Sequence, residues 1–293
     1  MSNISLIIEE RAASIGNFLV GRLLPFKQKR SVGPFVFIDH MGPVTLNEHE
    51  NFDVPAHPHI GLSTLTYLFE GAMMHRDSTG AAMEIKPGEV NWMTAGRGVV
   101  HSERTPEHLR NSEKKMHGLQ IWVALPLEME ECDPSFAHFD AELIPSWKTP
   151  NADFKLIAGS LFGYQSPVPV HSKLYFLEIR TVEGCELDLG NELFGESALY
   201  ILQGAVTDGE HTYTEKQILI AGDQSNCKFQ LLENTTIYIF GGEPFKEERY
   251  IDWNFVSHSK ERLAKAREDW KAQLFDKIPG ETEFVPYPET KLH

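Results

Sequence analysis

Two short motifs, His57-Pro58-His59 and His101-Ser102-Glu103, constrain this chain more than any other feature of it. Each carries two metal-ligating side chains at positions i and i+2. In a β-strand, residues two apart point to the same face, with Cα atoms roughly 7 Å apart. Two such strands side by side aim three imidazoles and one carboxylate at a single point. The fold must therefore bring two distant segments into one sheet. A mixed set of N and O donors suits Fe(II), Mn(II), Ni(II), Cu(II) or Zn(II).

The flanking residues agree with strands. The run from His57 to Gly71 is rich in β-branched and aromatic residues and ends at Glu70-Gly71, a turn signal. Pro87-Gly88 marks a turn before an apolar stretch, and Ala95-Gly96-Arg97-Gly98 marks another, where glycine permits positive φ. The strand that follows delivers His101 and Glu103.

This order of H-x-H, strand, Pro-Gly, strand, glycine turn and His resembles the two consensus motifs of the cupin β-barrel. Three blocks are similar to the pirin family in particular: Gly33 to Pro43, Asn91 to Glu103 and His117 to Pro126. The likeness is dense from Gly33 to Pro126 and thinner beyond. It implies an all-β protein of two cupin-type barrels, a bicupin, with one iron in the N-terminal barrel. It implies His57, His59, His101 and Glu103 as metal ligands. It also implies either a quercetin 2,3-dioxygenase-like activity or a regulatory role, since members of the family are described as one or the other. Many members carry Arg directly after the second His of the first motif. Here that residue is Ile60, which makes the expected mouth of the site more apolar.

Composition narrows the classes. At 293 residues the chain is long enough for two ordinary domains. A formal net charge of −15 argues against a nucleic-acid surface, which draws on Lys and Arg. The one dense basic stretch near the N-terminus, Lys27 to Arg30, reads as an exposed loop. No run approaches 18 apolar residues, and the first residues lack the pattern of a signal peptide. Cys132, Cys185 and Cys227 are odd in number and far apart, which suits a reducing compartment; the expected location is cytoplasmic. Acidic neighbours would raise the Cys132 pKa, so it is not read as a catalytic thiol. The Gly-x-Gly at Gly96 and Gly98 has no third glycine and no following helix, unlike a dinucleotide loop.

The chain also repeats itself. Ala198 to Val206 echoes Leu65 to Met73, and Gln217 to Gly222 echoes Val90 to Gly96, an internal duplication. Sliding the copies together puts Gly190, Glu192, Cys227 and Phe229 where the four ligands sit, so the second barrel is expected to hold no metal. The expected domains are 1–135, the metal-binding barrel, and 136–293, the metal-free barrel. The latter ends in a helix near 257–275, capped by Ser257 or Ser259, with an apolar stripe of Leu263, Ala266, Trp270 and Leu274. The last dozen residues are expected to be loose.

Other candidates have blander readings. His75, in His75-Arg76-Asp77 after a glycine turn, reads as an exposed loop residue. His117 reads as a structural hydrogen-bonding residue, and Trp122 as core. Met73, Met74 and Met93 read as core fillers.

The implied chemistry needs one divalent transition metal, Fe(II) first, with Mn, Ni, Co, Cu or Zn as alternatives. A flavonol such as quercetin would bind through its 3-hydroxyl, Glu103 would accept that proton as general base, and O2 would open the ring with loss of carbon monoxide. The rival expectation is an iron-dependent redox sensor acting through a protein partner. A metal-dependent isomerase or hydrolase is a third, since one fold hosts many chemistries.

Overall fold

The computed structural model describes residues 4–15, 18–189, 192–222 and 228–289. Among these the structure is strands and turns with one α-helix, Lys260–Lys271. No described helix is long and apolar enough to cross a membrane.

The chain divides into two compact units, each discontinuous in sequence. One comprises residues 13–20, 39–138 and 246–293; the other comprises 1–12, 21–38 and 139–245. This differs from a division at residue 135 in three places. The first strand, Ile4–Glu9, pairs antiparallel with Gln217–Ala221, so residues 4–9 complete the sheet of the second barrel. Residues 21–38 fall in that compact unit as well. The C-terminal helix belongs with the first barrel. Local pattern identifies strands well, but edge partners are chosen by long-range pairing, which leaves no local trace.

In the first unit, a four-stranded sheet runs in the order Asp53–His59, Val99–Arg104, Met73–Asp77, Ala82–Ile85. Facing strands Val90–Thr94, Leu62–Glu70 and Lys114–Ala124 are neighbours in a larger sheet. Alternation sorts the side chains. Leu68, Met73, Ile85 and Met116 fill one apolar cluster with Val54 and Phe52, as expected for Met73. Gly71 and Gly204 both take positive φ, +87° and +80°, each between two strands of its barrel. The duplication is thus visible as the same strand, left-handed glycine, strand device.

The second unit holds a sheet in the order Ile4–Glu9, Gln217–Ala221, Glu196–Gln203, Thr235–Gly242, Leu174–Thr181, Asp153–Leu161, Ser146–Lys148. Its core is leucine, isoleucine, valine and aromatic residues, with Phe229 packed against it. Glu192 is exposed. Gly190 and Cys227 lie outside the described residues.

The helix is shorter than its sequence pattern. Ser259 caps it, its Oγ accepting from the Arg262 N–H at 3.2 Å. Ser257 is buried instead and donates to Glu130 at 3.0 Å. Leu263, Ala266 and Trp270 are buried against Ile60, Val100 and Phe255. Leu274 falls past the helix end and is 71% exposed, so it is no part of the stripe. The tail to residue 289 is docked rather than loose. The Val285 N–H donates to the Ala56 carbonyl at 2.8 Å, and the Glu281 carboxylate accepts from Ser102 Oγ at 2.5 Å and Arg104 at 3.0 Å.

Candidate metal centre

The central strand Val99–Arg104 lies between Asp53–His59 and Met73–Asp77. Its register on one side sets His101 opposite His57 and Val99 opposite His59. On the other side it sets His101 opposite Asp77 and Glu103 opposite His75. A bulge between His101 and Glu103 shifts the pairing, so Glu103 faces Val54 rather than Pro55. Three adjacent strands therefore send polar side chains to one buried place.

His57, His59 and His101 come together: each offers a ring nitrogen within 4.8 Å of the others, and all three are buried. The Nε2 atoms of His59 and His101 are 3.1 Å apart. Two imidazole nitrogens each about 2.1 Å from one ion, at right angles, would stand about 3.0 Å apart. Two lone pairs at that distance repel unless a proton or a cation lies between them. The donor set and its spacing fit a transition metal.

Hydrogen bonds orient the rings. His57 Nδ1 donates to the Pro55 carbonyl at 2.9 Å, and His59 Nδ1 donates to the Asn254 carbonyl at 3.1 Å. A carbonyl only accepts, so each Nδ1 carries the proton and each Nε2 keeps its lone pair. His101 Nδ1 is 3.5 Å from His75 Nδ1, and His75 Nε2 is 3.0 Å from Asp77 Oδ2. Trp122 meets the His59 ring edge-on, centroids 5.0 Å apart, and closes that wall.

Electrostatics favour the ligating form. Burial pushes the His57 imidazole down to about 4, against a weaker opposing pull from its bond to Pro55. Burial, then the neighbouring imidazoles, lowers His59 and His101 as well. All three are neutral at pH 7, as metal ligation requires. Glu103 goes the other way. Burial raises its carboxyl to about 7, only partly offset by Thr66. Thr66 Oγ1 lies 3.5 Å from Glu103 Oε1 and 3.0 Å from Gln120 Oε1, and its one hydroxyl proton can go to either acceptor. The tight cluster consists of the three imidazoles; the Glu103 carboxylate stands outside it.

Two sequence readings are corrected here. His75 is not an exposed loop residue; it lies in strand Met73–Asp77, is 3% exposed, and sits behind His101. The signal was the i,i+2 pair His75 and Asp77, the same spacing as in the two leading motifs. Ile60 does not line the mouth of the site. It is 1% exposed and packs with Phe255 and the helix. His117 and Trp122 behave as read: His117 Nε2 lies 2.9 Å from His40 Nε2, and Trp122 is buried.

Comparison with known proteins agrees with this geometry. The pirin family model matches residues 17–123, and the pirin C-terminal cupin domain matches 176–276. A pirin-like protein of Caulobacter vibrioides is 47% identical over 98% of this chain and 100% of its own length. Human pirin is 26% identical over 92% of this chain and 91% of its own length. The crystal structure of a quercetin 2,3-dioxygenase from Acinetobacter baumannii superposes with a TM-score of 0.88, at 32% identity, covering 98% of this chain and 96% of that one. With three buried imidazoles on the strands of a cupin barrel, a second cupin barrel beside it in sequence, and relatives matched from end to end, this chain belongs to the pirin family.

Proposed function

We propose that the protein is a metal-dependent dioxygenase that opens flavonols such as quercetin with O2. The observation that carries this is the convergence of three neutral, oriented imidazoles beside a buried carboxylate whose pKa is raised to about 7. The likeness to the quercetin 2,3-dioxygenase of A. baumannii supports the reaction class. His57, His59 and His101 would hold one divalent ion, Fe(II) first, with Glu103 as the fourth ligand. When bound, the metal supplies a Lewis-acidic position for a substrate hydroxyl and a means of activating O2. Glu103 would take the proton of the flavonol 3-hydroxyl; burial raises its carboxyl toward neutrality, and a bound cation would pull it back down and favour the carboxylate that accepts the proton. Thr66 would help to hold that carboxylate in place. Trp122 would shield the His59 side from water. A cytoplasmic location is part of this reading.

The test follows loss of quercetin's visible absorbance together with release of carbon monoxide from metal-loaded protein. Glu103→Gln should retain part of its metal, because an amide oxygen still coordinates. It should lose turnover by roughly 10²–10⁴-fold, because an amide accepts no proton. Absence of both signals above a free-metal control would reject the dioxygenase. A second reading, an iron-dependent regulator, would then stand. It draws on the bonds that tie the metal strands to the C-terminal segment, Asn254 to His59 and Glu281 to Ser102, which would pass a change at the metal to an exposed element.

A further inference from the structure

His57 and His59 each rest on a backbone carbonyl, but His101 rests on another side chain. That side chain, His75, is itself held on three sides. Its Nε2 faces Asp77 Oδ2 at 3.0 Å. Its ring stacks on Phe136, centroids 4.3 Å apart and planes 17° from parallel. Its Nδ1 faces His101 Nδ1 at 3.5 Å. Asp77 is fixed in turn. Its Oδ1 accepts from the Thr79 N–H at 2.8 Å, the Thr79 hydroxyl at 2.6 Å and the Ala81 N–H at 3.2 Å. It is fully buried.

We propose that Asp77 and His75 form a fixed relay that sets the tautomer of His101 and thereby its competence to bind the metal. Asp77 Oδ2 can only accept, so His75 carries its proton on Nε2. His75 Nδ1 is then a lone pair, and it accepts the Nδ1 proton of His101. His101 Nε2 is left unprotonated and aimed at His59 Nε2, where the ion would sit. His75 and Asp77 are positioning residues: they touch neither metal nor substrate. Partners of metal-ligating histidines fix ring orientation and raise ligand basicity, and losing one costs about 10–100-fold in metal affinity. This inference rests on the proposed metal site at His57, His59 and His101, and on no particular reaction there.

The relay makes an ordered forecast for three substitutions. In Asp77→Asn, the Thr79 and Ala81 donors hold the amide oxygen where Oδ1 now lies. The amide NH2 must then face His75 Nε2, which becomes the acceptor. His75 turns its N–H toward His101, and His101 is forced to protonate Nε2, the metal-facing atom. In His75→Phe, the stack on Phe136 is kept and the acceptor is lost, so His101 is unguided but not reversed. In His75→Asn, the side-chain oxygen can take the place of Nδ1 and accept from His101.

The experiment measures Ni(II) affinity of the full-length protein by chelator competition, with thermal melting of each chelator-treated form as the folding control. Affinity should fall about a hundredfold in Asp77→Asn and about tenfold in His75→Phe, and stay near wild type in His75→Asn. A second readout is independent of affinity and of turnover. In the Zn(II)-loaded wild type, ring-nitrogen NMR should find the proton on Nδ1 of His101 and on Nε2 of His75. Equal affinity in Asp77→Asn and wild type would overturn the relay, as would a proton on His75 Nδ1. Losses that merely track the melting temperatures, with His75→Asn no better than His75→Phe, would assign the pair a structural role and overturn it too. A wild type that binds no Ni(II) would instead reject the metal site on which the relay rests.

Discussion

The proposed ligand residues carry predictions that differ from those of ordinary buried histidines. His57→Ala together with His101→Ala should abolish metal retention, because one imidazole cannot complete the site; elemental analysis of the purified variant checks this. Acid should destabilise the chelator-treated protein. The folded pKa of His57 lies near 4 and its unfolded value near 6.5. Between these values the unfolded chain binds the proton and the folded chain does not, so stability falls as pH drops through that window. For His57 alone the full loss is about 3 kcal/mol, from 1.36 kcal/mol per pH unit. His59 and His101 are lowered too and add in the same direction. Glu103 opposes them, since its folded pKa is raised and its proton is bound in the folded state below pH 7. Three imidazoles against one carboxylate leave a net loss on acidification. Metal loading should oppose it, because protons and metal compete for the same nitrogens. Denaturant melts at pH 7 and pH 5, with and without Ni(II), measure both effects.

At the scale of elements, the metal strands depend on what covers them. Gly61 follows the His57–His59 segment with φ +67°, and a Cβ there would come within 2.0 Å of the Val256 carbonyl oxygen. Gly61→Ala should therefore push the Phe255–Ser257 strand away from His59 and lower both melting temperature and metal affinity. Trp270 anchors the helix over Ile60 and Phe255, and its Nε1 donates to the Val285 carbonyl at 3.0 Å. Trp270→Ala should cost about 3–5 kcal/mol, as truncation of a large buried aromatic does; urea denaturation reads that directly. The helix was legible in the sequence from its apolar spacing. Its true end at Lys271 was not, because Leu274 continues the spacing by chance while the backbone has already left the helix. Ile60 was misplaced for a related reason. Alternation says that a side chain is on the face opposite its neighbours, but not what packs on that face.

For the whole molecule, one metal per chain is expected, all of it in the first barrel. The second barrel's core is built of aliphatic and aromatic side chains such as Leu187, Val206 and Leu231, with Phe229 packed against it. Elemental analysis giving two equivalents that survive loss of His57 and His101 would contradict this. A fragment ending at His138 should fail to hold Ni(II) tightly even though it contains every proposed imidazole ligand. It lacks the Asn254 carbonyl that orients His59 and the Phe255 and Trp270 side chains that seal Ile60. The sequence by itself determined the barrel class, the duplication and the cluster of His57, His59 and His101. The barrel class was legible through the likeness of three sequence blocks to a known family, the duplication through the self-similarity of two stretches, and the histidine cluster through side chains that alternate along a strand. Only the tertiary structure decided that residues 4–9 close the second barrel and that residues 246–289 complete the first. It also decided that His75 and Asp77 stand behind His101. Each of these is a pairing between strands far apart in sequence, and the register of such a pairing is set by which faces are buried together, a property no local stretch of residues contains.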